Sequence, residues 1–93
     1  MEKTVYAKMV NSIVKEITTI IGPVAIVQAN NVKGLSVTAT GNVDIKGDAV
    51  KKIEQLVKAY EVLIGPVAIT IAKRAVKTFL EKNKRLQIPE KLR

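Results

Sequence analysis

Ile21-Gly22-Pro23-Val24-Ala25-Ile26 recurs, residue for residue, as Ile64-Gly65-Pro66-Val67-Ala68-Ile69, 43 positions further on. With that offset held, residues 10–29 lie over 53–72 and 9 of the 20 pairs are identical, Val14/Val57, Lys15/Lys58 and Ala29/Ala72 among them. Most other pairs stay apolar on apolar, such as Ile13/Leu56, Ile17/Tyr60 and Ile20/Leu63. One unit is therefore used twice, with a connector between.

The hexapeptide itself reads as punctuation. A residue before proline is pushed out of the α region. Proline in turn is preset for the first turn of a helix, where its missing N–H is not needed. Between two apolar helical patterns, Gly22-Pro23 and Gly65-Pro66 thus mark a helix end, a sharp turn and a new helix start. A single helix kinked at proline is the alternative. The four residues are structural turns, and a partner would use their apolar flanks.

Upstream of the first corner, Thr4 is placed to cap a helix. Tyr6, Val10, Ile13, Ile17 and Ile20 then recur at spacings of three and four and form its inward stripe. In the second unit Asp48 caps a helix with Val50, Ile53, Leu56, Val57 and Tyr60 inward. After the second corner, Val67, Ile71, Ala75 and Phe79, with Ala68, Ala72, Val76 and Leu80 beside them, predict a helix over 66–84. The four apolar residues Val24-Ala25-Ile26-Val27 suit a buried strand as well as a helix. Parity with the second unit favours a helix over 23–33, closed by Gly34 at its C-terminus.

The connector, 35–47, alternates. Leu35, Val37 and Ala39 interleave with Ser36, Thr38 and Thr40, and Val43 and Ile45 with Asp44 and Lys46, which is a β-hairpin pattern. A two-residue Gly41-Asn42 loop would set Val43 and Ile45 on the threonine face. A three-residue loop, Thr40-Gly41-Asn42, pairs Ala39 with Val43 and Val37 with Ile45, and puts every apolar residue on one face. That register is expected, with Asn42 in the left-handed conformation. An isolated hairpin is marginal in water, so this one must lie on the helices or pair edge to edge with another copy.

The expected fold is α+β and mainly helical. Two helix–Gly-Pro–helix units, 4–33 and 48–84, flank the hairpin at 35–47 around a pseudo-twofold, and a basic tail follows at 85–93. Leu86, Ile88 and Leu92 can dock that tail, and Pro89 keeps it from prolonging the helix. At 93 residues this is a single domain with a modest core. Its apolar side chains are nearly all aliphatic, since only Tyr6, Tyr60 and Phe79 are aromatic. A two-helix unit with so narrow a face must pack on its repeat or on another chain.

The chain has no histidine and no cysteine. The commonest general base, the commonest transition-metal ligands and disulfides are thereby absent. Ser12 and Ser36 lack a histidine base and a nucleophile-elbow context. The eight acids are scattered along the chain, with no calcium-type loop and no acid–base pair. Residues 41–47 hold glycines near Lys46 but lack the spacing of a phosphate-binding loop, and strand alternation explains them. No catalytic residue, metal site, cofactor or small-molecule substrate is expected.

The net charge of +8 is uneven. Residues 73–93 carry eight Lys/Arg against Glu81 and Glu90, giving +6, while the rest of the chain holds only +2. Lys73, Lys77 and Lys84 fall on one side of a helical wheel, with Arg74 and Arg85 at its margin. Phosphate contact is one reading of this group; a solvated face with cations near a helix C-terminus is the plain one. No aromatics interleave, so base stacking is unsupported.

An amphipathic helix followed by Ile21-Gly22-Pro23-Val24-Ala25-Ile26-Val27 and then Lys33-Gly34-Leu35-Ser36-Val37 resembles the opening of Roadblock/LC7-type dimerisation domains. The resemblance covers residues 4–64 and implies a strand at 24–29. It stops where 67–80 reads as a helix and that family has further strands.

The functional expectation is a non-enzymatic interaction module that forms a homodimer or higher oligomer. The alternative is a basic DNA-binding protein using Lys73, Arg74, Lys77, Lys84 and Arg85 on the phosphate backbone. The two apolar stretches are too short to span a bilayer and Glu2-Lys3-Thr4 opens the amphipathic pattern directly, so no membrane is expected and the cytoplasm is the default location. Abundant Lys, Ile and Val with few Gln and no Cys also suit a thermophile.

Overall fold

The structure, a computed structural model, describes residues 2–93, with the side chains of Glu2 and Lys3 outside that description. In chain order come α1 (Glu2–Ile21), α2 (Val24–Asn30), β1 (Leu35–Val37), β2 (Val43–Ile45), α3 (Ala49–Ile64), α4 (Val67–Lys82) and a 3₁₀ turn, Glu90–Leu92. The fold is mainly helical with one antiparallel hairpin between the second and third helices, as the sequence pattern predicts.

Both Gly-Pro corners are helix–turn–helix junctions, and their backbones nearly superimpose. Gly22 has φ 76° and Gly65 φ 74°, values that L side chains rarely adopt. Pro23 (φ −59°, ψ −17°) and Pro66 (φ −61°, ψ −18°) then start the next helix. The Gly22 N–H donates to the Thr18 carbonyl and the Gly65 N–H to the Glu61 carbonyl, both at 2.8 Å, which satisfies an orphan carbonyl at each helix end.

The repeat is a repeat of packing. The identical pairs Val14/Val57, Ala25/Ala68 and Ala29/Ala72 are buried in both units, whereas Lys15/Lys58 is exposed in both. α1 packs on α4 and α2 on α3, the cross-pairing that a twofold exchange of units requires. The alanines of α2 and α4 are buried at these contacts and have almost no side chain to interpose between the helices. The interior is filled by Tyr60, Met9, Ile13, Ile17, Ile53 and Leu56, all fully buried. Fully burying one such aliphatic side chain is worth about 1.5–3 kcal/mol.

Several boundaries differ from expectation. α1 begins at Glu2, so Thr4 lies within the helix instead of capping it; Glu2 and Lys3 are good helix formers with no breaker to stop propagation. Val24–Asn30 is helical, which excludes the strand at 24–29 and with it the Roadblock/LC7-like order. That helix ends well before Gly34 because Asn30 is drawn into the hairpin. Its Oδ1 accepts from the Val37 N–H and its Nδ2 donates to the Val37 carbonyl, both at 2.8 Å. The side chain thereby pairs with the outer edge of β1 as a neighbouring strand would, and the hairpin needs no second copy for that edge.

The hairpin register is also corrected. Leu35 pairs with Ile45, Ser36 with Asp44 and Val37 with Val43, two residues away from the expected alignment. Face parity survives a shift of two, so Leu35, Val37 and Ile45 are still buried on the helices while Ala39 leaves the ladder and is exposed. A five-residue loop, 38–42, closes on itself. Thr38 N–H donates to the Asn42 carbonyl, Asn42 N–H donates to Thr38 Oγ1, and Gly41 N–H donates to the Thr38 carbonyl. The positive φ falls on Gly41, at 92°, and not on Asn42.

The third helix starts as expected, with Asp48 Oδ1 accepting from the Lys51 N–H at 3.3 Å. The tail docks through Leu86, Ile88 and Leu92, all buried, and Tyr6 Oη donates to the Gln87 carbonyl at 2.7 Å. That bond joins the start of α1 to the segment after α4, so the two helices run antiparallel.

Candidate interaction surfaces

Antiparallel packing of α1 on α4 brings the end of α1 beside the start of α4, hence both corners to one end of the molecule. Two bonds tie the halves together there. Tyr60 Oη, in the last turns of α3, donates to the Ala25 carbonyl of α2 at 2.7 Å, and Gln28 Nε2 donates to the Ala59 carbonyl at 3.1 Å. Tyr60 is wholly buried, and desolvation pushes its phenol far above the ordinary tyrosine value, so it remains a donor.

Around these corners stand all six of the large apolar side chains that are exposed among the described residues. They are Ile20 (56 %), Val24 (46 %), Val27 (59 %), Val62 (80 %), Leu63 (46 %) and Val67 (47 %). Helical spacing had put Ile20 on the inward stripe of α1 and Val67 in the apolar series that predicts α4. Both are exposed because each sits in the helix turn next to a corner, where no further element passes over them. The exposure itself obeys the repeat: Ile20 and Leu63 are equivalent positions, as are Val24 and Val67. Single exposed aliphatics are ordinary; six at one end are not.

The second surface is basic. Lys73, Arg74 and Lys77 are exposed along α4. Because α4 stops at Lys82, Lys84 and Arg85 are not on its wheel; they stand exposed in the turn that follows, where Asn83 Oδ1 accepts from the Arg85 N–H. The five predicted cations thus follow α4 from its middle to the turn beyond its end, away from the corners. Among the described residues the one ion pair is Lys91–Glu61, at 3.8 Å, which leaves those five without a carboxylate partner. Glu81 is the acid set among them.

A shallow groove of about 280 Å³ runs between α1 and the hairpin loop, lined by Asn11, Thr18, Thr38 and Thr40 with Lys15 as its one ionisable group. Ser12 is half-buried on α1 and Ser36 is exposed on β1. Among the described residues no three carboxylates gather as a metal site would require, and no helix is long and apolar enough to cross a membrane. The turn residues Gly41 and Asn42 close the hairpin loop and approach the side chain of Asn11 on α1 through Gly41. The exposed apolar set at the corners is the feature that sequence reasoning missed. Its signal was present in the aliphatic flanks of both Gly-Pro pairs, but a helical wheel does not register where the neighbouring elements end. Set against models of known protein families, curated proteins and solved structures, the chain matches none of them.

Proposed function

We propose that this chain is a small non-enzymatic assembly module, located in the cytoplasm, whose partner is another copy of itself. The observation that carries this reading is the gathering of six exposed aliphatic side chains at the corner end. Water-exposed aliphatic surface costs about 25 cal/mol per Å², and association removes that cost. The β1 edge of the hairpin contributes nothing to assembly in this reading, because Asn30 already pairs with it. Sedimentation equilibrium at high micromolar concentration tests it. A species of twice 10.2 kDa or more is expected, and a mass of 10.2 kDa at every concentration would reject it.

A second reading is favoured by one specific observation, the five α4-side cations without carboxylate partners. Here the chain contacts the phosphate backbone of duplex DNA through Lys73, Arg74, Lys77, Lys84 and Arg85. Such binding weakens steeply with salt, because each neutralised phosphate releases counterions. A duplex titration at two salt concentrations separates the cases: no binding at low salt removes this reading, and salt-insensitive binding removes the phosphate contacts from it.

A further inference from the structure

We infer that the corner end is a closed, twofold interface, at which two copies meet corners against corners. The inference rests on the self-association proposed above and adds where and how the copies join. Three observations select a second copy of this chain as the occupant.

The first is symmetry. A twofold homodimer uses one patch on both partners, so the patch must complement itself. This one is built from two equivalent corners with matching backbone angles, and it repeats its exposed aliphatics in pairs, Ile20 with Leu63 and Val24 with Val67. A twofold pairing sets like shapes of similar chemistry against each other.

The second is size. From their fractional exposures the six side chains present roughly 500 Å², at the upper end of what a monomer exposes in one patch. The half-buried Ile21 and Ile64 and the exposed prolines widen it toward the roughly 800 Å² per partner of a standard interface. Nothing lies within 4 Å of where a Cβ of Gly22 or Gly65 would stand, so a partner can approach the corner backbone itself.

The third is charge. Lys77, Lys82, Lys84 and Arg85 lie along the later turns of α4 and beyond its end, leading away from the corners. The charged groups nearest the corners are mixed: Lys15 and Glu16 on α1, Lys58 and Glu61 on α3, Lys73 on α4, and Lys91 of the tail, which pairs with Glu61. Joining two copies here does not press the basic surfaces together. Nor does the patch carry the Trp or Tyr typical of a membrane-interface anchor.

Val62 is the residue to test, since at 80 % exposure it is the most exposed of the six and a change there disturbs the core least. Val62→Glu is expected to raise the dimer dissociation constant at least tenfold in sedimentation, with the helical circular dichroism unchanged. Val27→Lys, in the other unit, is expected to do the same and guards against a folding defect in the first variant. Lys77→Glu is expected to leave the dimer intact. A wild-type dimer that both corner variants preserve would overturn this interface while leaving self-association standing. A monomeric wild type would overturn both. A monomeric wild type that co-sediments with phosphatidylcholine vesicles, and ceases to do so as Val62→Glu, would overturn the second copy as occupant and replace it with a lipid surface.

Discussion

Tyr60 shows how one residue links the two units. Its ring is wholly buried in the core and its hydroxyl reaches the Ala25 carbonyl, in the first turn of α2 in the other unit. Removing only that hydroxyl leaves the Ala25 carbonyl with its helical N–H partner alone and forfeits one buried hydrogen bond, a net loss of about 0.5–1.5 kcal/mol. Tyr60→Phe is therefore expected to lower the unfolding free energy by that amount at pH 8, measured by denaturant titration. The pH dependence follows from the same burial. The folded phenol holds its proton well above the ordinary value of about 10, whereas the unfolded one releases it there. This residue's contribution is therefore fully present below about pH 10 and is lost as pH rises beyond it. Wild type and Tyr60→Phe should converge in stability between pH 9 and about 11. A constant gap across that range would show that Tyr60 ionises as freely folded as unfolded.

At the scale of elements, helices were the legible part. The spacing of Ile53, Leu56, Val57 and Tyr60 dictates α3, and Asp48 marks its start, because both are local properties of the chain. The second corner and α4 follow in the same way. The hairpin was legible in its alternation and facing but not in its register. Alternation fixes parity alone, and the choice between registers two residues apart was made by the Thr38–Asn42 hydrogen bonds. The end of α2 was likewise beyond local reading, since Asn30, its last residue, turns its side chain to pair with Val37, a contact between elements. The loop makes a discriminating prediction. Gly41 holds the positive φ, and an added Cβ there would stand 3.3 Å from the Asn11 side chain. Gly41→Ala should cost about 1 kcal/mol or more, and Asn42→Ala no more than about 0.5 kcal/mol. The reverse order, by thermal or denaturant unfolding, would restore the three-residue loop.

The whole molecule is polar in the literal sense, with exposed aliphatics at the corner end and unpaired cations along α4 and past its far end. Composition announced the charge, because Lys and Arg are exposed almost wherever they fall. It could not announce the aliphatic end, because exposure there depends on which elements stop short of the corners. The two surfaces respond oppositely to salt. Added salt screens the repulsion between copies of charge +8 and should strengthen association, whereas any duplex binding should weaken. Charge reversal at Lys73 and Lys77 together should abolish low-salt duplex binding in a gel shift while leaving dimer mass unaltered. Loss of the dimer in that variant would place the interface on α4 instead.

Shape gives the most direct test of corner-to-corner assembly. The 20 residues of α1 span about 30 Å, close to the 31 Å longest extent of the chain, so the corners stand at one end of the long axis. Copies joined there form an elongated particle. Small-angle X-ray scattering at high micromolar concentration should give a dimer mass with a longest dimension approaching twice 31 Å. A dimer of compact, side-by-side shape, or a monomer whose radius of gyration stays near 11.7 Å at all concentrations, would contradict it.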